Sequence, residues 1–258
     1  MKIVVVGAGR VGSKVVRALA ARGHDVVVAA PSTGVDTVTG AGLADALAGA
    51  AVVVDASDAP SLDADVAARF FTQSTTNLLR IGAAADVGCH IALSMVGTDR
   101  LGPHGGYFRA KQNQEILIAD GPVPYCVLRS TQVFESLNPT ADFATDGDTV
   151  RLPPARIAPI ASDDVAEAIA EIVDLDPANG IVEIGGPETF RLDDVVRILL
   201  TAHRDARRVV ADNAARFCGV ELSERLCESA FLPADGATVA AGRFADWVLR
   251  TAATSQAR

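Results

Sequence analysis

IVVVGAGRVG, residues 3–12, decides the fold. Ile3–Val6 is a short β-branched run, which suits a strand buried on both faces. It runs directly into Gly7-Ala8-Gly9-Arg10-Val11-Gly12, a GxGxxG that opens a helix. In that pattern the first glycine permits the tight turn and the second lets backbone N–H groups approach a pyrophosphate. The third lets helix and strand pack closely, and the helix N-terminus favours negative charge. Gly7, Gly9, Arg10, Val11 and Gly12 are therefore candidate contacts for a dinucleotide.

Outward from this stretch, strand-like and helix-like segments alternate. Val11–Arg22 reads as a helix with Gly23 as its C′ residue, and Asp25–Ala29 as a second buried strand stopped by Pro31. Gly34–Gly42 is ambiguous, a short strand with a turn being one reading. Leu43–Leu47 reads as a helix, Ala51–Asp55 as the fourth strand if that one is counted, and Val66–Asp86 as a long helix. Strand Cys89–Ser94, helix Tyr107–Asp120 and strand Tyr125–Arg129 follow. Such alternation implies right-handed crossovers and a parallel sheet covered on both faces, an α/β doubly wound Rossmann architecture. The expected division is a dinucleotide-binding core over residues 1–135 and a C-terminal part, 136–258, that completes the sheet and forms a small substrate lobe. In that part, Ser162–Val173 reads as a helix N-capped by Ser162, Ile181–Ile184 as a strand and Leu192–Ala202 as a helix. The last eight residues are expected to fray.

The end of the second strand bears on the cofactor. An Asp or Glu there, about 20 residues past the glycines, holds the ribose 2′-OH in NAD binders. This chain reads Ala29-Ala30-Pro31-Ser32-Thr33. Without the acid, a 2′-phosphate meets no repulsion, and Ser32, Thr33 and Arg10 are candidate partners for it. The expectation is NADP, with NAD possible. Ala56 and Ser57, just past Asp55 at the cleft edge, are further candidate cofactor contacts, whereas Asp55 and Asp58 read as capping and solvated acids.

Tyr107-Phe108-Arg109-Ala110-Lys111 is a YxxxK, which stacks a phenol and an ammonium on one helix face. The chain has only two tyrosines, and its lysines are Lys2, Lys14 and Lys111 among 23 basic residues. With so few of either, such a pair arises by chance about one time in forty. An ammonium beside a phenol lowers its pKa from about 10. Tyr107 is then the candidate acid/base, and Lys111 its activator and an anchor for the nicotinamide ribose. Ser94, ending a strand 13 residues earlier, is the candidate carbonyl orienter. Weaker candidates are Asn77 as a relay, and His104, Gln132 and Phe134 as pocket residues. Asp163 and Asp164 read as first-turn helix charges.

Several runs together resemble the NmrA-like, atypical branch of the short-chain dehydrogenase/reductase superfamily. They are Leu93-Ser94-Met95-Val96-Gly97-Thr98-Asp99-Arg100, Gly106-Tyr107-Phe108-Arg109-Ala110-Lys111, Leu128-Arg129-Ser130-Thr131-Gln132-Val133-Phe134, Pro159-Ile160-Ala161-Ser162-Asp163-Asp164-Val165-Ala166 and Gly185-Gly186-Pro187-Glu188. The resemblance covers roughly residues 1–200 and implies an NAD(P) site and often reductase activity. Two departures stand out: GxGxxG replaces the commoner GxxGxxG, and no basic residue follows the second strand. Some members of the branch bind the dinucleotide as redox sensors, typically without the Tyr–Lys pair that this chain keeps. The reading is a reductase of a small carbonyl, imine or quinone. A non-catalytic NAD(P) sensor is the alternative, and an isomerase that recycles its bound cofactor a third.

Composition narrows the classes further. The 258 residues are 49% hydrophobic, 21% charged and 5% aromatic, with a net charge of −9 and a pI near 4.9. That balance argues against broad nucleic-acid binding. Cys89, Cys126, Cys218 and Cys227 show no metal-like spacing and read as reduced thiols, so no metal is expected. No apolar run approaches the length of a membrane span or of a signal h-region. The expectation is a cytoplasmic protein with a small-molecule substrate and a possible homo-oligomeric state.

Overall fold

A computed structural model describes residues 1–256. Strand β1 (Lys2–Val6) leads into α1 (Gly12–Ala21), and β2 (Asp25–Ala29) into α2 (Leu43–Leu47). β3 (Val52–Asp55) precedes α3 (Ala64–Ala84); β4 (Cys89–Met95) precedes the one-turn α4 (Thr98–Leu101) and α5 (Gly106–Ala119); β5 is Tyr125–Ser130. Beyond it lie α6 (Leu137–Phe143), β6 (Thr145–Asp146), β7 (Thr149–Leu152), β8 (Arg156–Ile157), α7 (Ser162–Val173) and β9 (Gly180–Gly185). The chain ends through β10 (Phe190–Arg191), α8 (Leu192–Ala202), β11 (Arg208–Ala211), β12 (Arg216–Phe217), β13 (Val220–Glu221), α9 (Glu224–Ser229), β14 (Thr238–Val239) and α10 (Phe244–Gln256). The last eight residues, expected to fray, are helical as far as Gln256; Ala257 and Arg258 lie outside the described residues.

The central sheet has seven strands in the order β14-β9-β5-β4-β3-β1-β2, all parallel. This is the expected doubly wound Rossmann-like sheet. Its order reverses between β1 and β3, where such sheets bind ligands at their carboxyl ends. Both faces are covered, as the unbroken apolar strands require. Ile3 and Val5 pack towards α1 and α7, Val4 and Val6 towards α2, α3 and α5. β9 and β14, from the C-terminal part, complete the sheet. The small sheets there (β6–β7–β11, β8–β10, β12–β13) join α6, α8 and α10 around a separate core with Phe134, Phe217, Phe231, Phe244 and Trp247.

Two local readings are corrected. Gly34–Gly42 forms no strand, so Val52–Asp55 is the third strand and not the fourth. Asp36 Oδ1 accepts the Val38 and Thr39 N–H groups, which holds the segment as turns, and Asn77 Nδ2 donates to Thr37 O and Val38 O at 2.9 Å each. Asn77 therefore ties this loop to α3. Ser162 is the first residue of α7 and not its cap; the Glu135 carboxylate accepts its N–H at 3.3 Å.

The contact on which β1, α1 and β3 converge is a glycine contact. A Cβ on Gly12 would lie 2.0 Å from Gly7 O, and one on Gly7, at φ +90°, 2.9 Å from the backbone of Ala56 and Ser57. Gly12→Ala is expected to destabilise the protein by about 1–3 kcal/mol or more, since only backbone can yield. Urea denaturation of the variant measures this.

Candidate active site

The glycine loop fits the group that its pattern implies. Gly7 turns at positive φ, Gly12 closes α1 onto the strand, and a Cβ on Gly9 would meet nothing within 4 Å. An open, exposed backbone face thus lies at the N-terminus of α1, where an anion is favoured. Arg10 beside it is exposed and forms no ion pair among the described residues. At the end of β2 only Ser32 is a free donor. Thr33 Oγ1 accepts Ala30 N–H at 3.0 Å and directs its proton to the carbonyls of Val28 and Ala30, both at 2.9 Å. Thr33 is in that arrangement a turn-closing residue rather than a phosphate donor.

Asp55, the last residue of β3, is buried. Its Oδ1 accepts Ser57 N–H and Oγ–H at 3.0 and 2.6 Å, and its Oδ2 accepts Gln114 Nε2 at 3.1 Å. This Asx-type turn sends the chain past the glycines and sets the start of the next loop. Ala56 and Ser57 present backbone to Gly7. Asp58, one residue on, accepts the Tyr107 hydroxyl at 2.7 Å. Three consecutive residues therefore bridge the glycine loop and the phenol.

On α5, Tyr107, Lys111 and Glu115 follow at i, i+4 and i+8 and are all buried. The phenyl ring of Phe71 from α3 stands between the first two. It packs edge-on to Tyr107 at 5.7 Å and carries the Lys111 ammonium 4.5 Å from its centroid. The anticipated electrostatics are reversed. Burial first, then the Asp58 carboxylate, hold the Tyr107 phenol well above its usual pKa of 10. Burial pushes Lys111 down, against the opposing pull of Asp58, Asp55 and Glu115. Its ammonium has no hydrogen-bond acceptor among the described residues, so its donors are uncommitted.

Ser94 is brought near this helix but is engaged. Its Oγ donates to Glu115 Oε1 at 2.5 Å, and Glu115 is gripped by Arg129 of β5 through two hydrogen bonds of 3.0 and 2.6 Å. Asp99 and Glu183 flank the same guanidinium at 3.2 and 3.7 Å. Sequence reasoning misses Glu115 and Arg129 as partners; the i+8 spacing from Tyr107 is the signal that could have found Glu115. Gln132, just past β5, keeps both polar atoms of its amide buried and unpaired. Phe134 is core, packed on Phe244 and Trp247, and His104 is exposed in the loop before α5. Asp163 and Asp164 lie in the first turn of α7 and pair with Lys14 and Gly242 N–H. The four cysteines are free. Cys218 lies at φ +46° in the β12–β13 hairpin. Burial and Asp58 push its thiol up to about 12. Among the described residues no group of His, Cys, Asp and Glu could hold a metal ion, and no helix is long and apolar enough to cross a membrane.

Removal of the Glu115 carboxylate leaves Arg129 facing only looser partners. Glu115→Ala is expected to cost about 3–5 kcal/mol in chemical denaturation, the range for breaking a buried pair.

Residues 1–83 match a family model described as putative NAD(P)-binding. No curated protein matches the chain in sequence. Among solved structures, the chain is similar to MoeE5 in complex with UDP-glucuronic acid and NAD, at 18% identity over 99% of each chain and a TM-score of 0.73. It is similar to the dTDP-glucose 4,6-dehydratase DesIV from Streptomyces venezuelae, solved with NAD, at 20% identity, 100% and 98% coverage and a TM-score of 0.70. A short-chain dehydrogenase/reductase superfamily protein from Agrobacterium tumefaciens with bound NAD matches at 18% identity, 99% and 97% coverage and a TM-score of 0.68. The fold is thus a Rossmann-like α/β fold similar to that of these proteins.

Proposed function

We propose that the chain is an NAD(P)-dependent oxidoreductase of the short-chain dehydrogenase/reductase type that reduces a small carbonyl, imine or quinone. The observation that carries this reading is the bridge Ala56-Ser57-Asp58, which touches the glycine loop at one end and the Tyr107 hydroxyl at the other. A phenol held that way beside a dinucleotide cradle is where a proton donor must stand for carbonyl reduction.

A nicotinamide held there would supply the hydride. Gly7, Gly9, Val11 and Gly12, with Arg10 and the backbone of Ala56 and Ser57, are the residues that would hold the dinucleotide. Lys111, whose donors are free, is the proposed ribose anchor, and the unpaired Gln132 amide offers a donor and an acceptor matched to a carboxamide. Tyr107 donates its proton to the substrate oxygen. For Ser94 to orient that oxygen, its proton must turn from Glu115 towards the substrate. Ala59, Leu62, Phe70, Phe71 and Met95 line the surroundings of Tyr107. Such a lining suits a compact, apolar carbonyl compound. The lobe built from residues after 135 supplies the other wall, through the hairpin that carries Cys218. NADP is the proposed form, because the end of β2 has no acid to repel a 2′-phosphate and leaves Ser32 and Arg10 exposed.

Two measurements test this. NADPH is expected to raise the melting temperature more than NADH, and Gly9→Ala to abolish the shift without unfolding the protein. Equal stabilisation by both dinucleotides would overturn the NADP preference. Tyr107→Phe is expected to keep that shift while lowering NADPH oxidation, over a panel of aldehydes, ketones, quinones, imines and UDP- and dTDP-sugars, by about 10²-fold or more. Full activity in that variant excludes Tyr107 as the acid. Binding without any oxidation by the unaltered protein identifies a sensor instead.

A further inference from the structure

Tyr107 and its hydrogen-bond partner sit in different media. The phenol is 3% exposed, whereas Asp58 lies on the exposed loop between β3 and α3. Asp58 Oδ1, which accepts the phenol, also accepts Ala59 N–H at 2.8 Å, and this fixes the carboxylate's orientation. No cation pairs with that carboxylate among the described residues. A relay through the α3 asparagine is closed, because Asn77 donates both its protons to the 37–38 backbone. The titratable groups that bear on the phenol are Asp58 from the β3–α3 loop and the Cys218 thiol from the hairpin; Lys111, from its own helix, lies across the Phe71 ring and is drawn by Asp58, Asp55 and Glu115.

We propose that Asp58 is the proton-exchange partner of Tyr107, holding it as a hydroxyl and returning a solvent proton to it after each turnover. This rests on the reading of Tyr107 as the acid. The step balances: hydride adds to the carbonyl carbon, the Tyr107 proton adds to its oxygen, and the phenolate is left. A solvent proton binds the Asp58 carboxylate and passes to the phenolate, which restores both groups. One proton is taken from solution for each carbonyl reduced. Asp58 acts through Tyr107 and is a positioning residue in that sense. A negative charge beside the phenol also opposes its ionisation, which keeps the donor loaded at alkaline pH.

The test exploits a chain with two tyrosines, Tyr107 and Tyr125. Phenolate absorbance is titrated in the unaltered protein, Asp58→Asn and Tyr107→Phe, the last reporting Tyr125 alone. Asn keeps an acceptor for the hydroxyl and removes the charge. In Asp58→Asn, Tyr107 is expected to ionise at a pH lower by about one unit, a tenfold rise in its ionisation constant. The alkaline limb of NADPH oxidation is expected to move down with it, since the acid form works only below its pKa. Asp58→Ser, which is also neutral, is expected to do the same, so a folding defect in one variant leaves the test intact. Tyr107 titrating at one and the same pH in all Asp58 forms overturns the proposal, even with NADPH oxidation intact. A shifted titration in a protein that oxidises no NADPH overturns the oxidoreductase reading and the turnover step with it.

Discussion

The structure depends on a place where three backbones meet without side chains between them. Gly12 opens α1 against Gly7 O, and Gly7 lies against the backbone of Ala56 and Ser57. Any Cβ at Gly7 or Gly12 would part α1 from β1, or β1 from β3. The order of the sheet reverses at that junction, so the contact that permits the packing also leaves a crevice at the carboxyl ends, where sheets of this kind bind ligands. Gly9 differs from both: a Cβ there would meet nothing within 4 Å, so the packing does not require its bareness.

From there the polar groups of the site are built outward in order. Asp55 ends β3 buried, and a buried carboxylate is tolerable only when its oxygens are satisfied. Ser57 and Gln114 do this, and the turn they complete delivers Asp58 to Tyr107. On the same helix face, Glu115 requires a cation, and Arg129 provides a planar fork that matches a carboxylate with two hydrogen bonds. A lysine there would offer a point charge without that planar match. The Ser94 hydroxyl completes the set of donors to Glu115, which explains why a residue of the right type at the right strand end is tied down.

The sheet and its crossovers were legible because their signals are local. Apolar β-branched runs, glycines at their ends and helical periodicity each depend on neighbouring residues. The misreadings depended on partners far away in sequence. Gly34–Gly42 has the composition of a strand and a turn, but Asn77, some 40 residues on, holds its carbonyls as a loop. Ser162 has the identity of a cap, yet Glu135 reaches its N–H first. Ser94, Tyr107 and Lys111 are candidates by type and spacing. Spacing says nothing of their partners, since the phenol's hydrogen bond goes to Asp58, 49 positions earlier.

The scarcity of lysine gains a physical meaning from this arrangement. The protein carries a net charge of −9 and gathers three carboxylates, Asp55, Asp58 and Glu115, around one helix face. Asp55 is satisfied by neutral donors and Glu115 by Arg129, but neither neutral donors nor the phenol cancel the charge of Asp58. Lys111 is the buried cation that these acids share, seated on Phe71 instead of on any one of them. A guanidinium at that position would commit its fork to a single carboxylate. A compact ammonium over an aromatic face balances several acids and keeps its N–H groups free. Tyr107 is thus left with one polar partner, the Asp58 carboxylate on its solvent side, while the shared cation stays across the Phe71 ring.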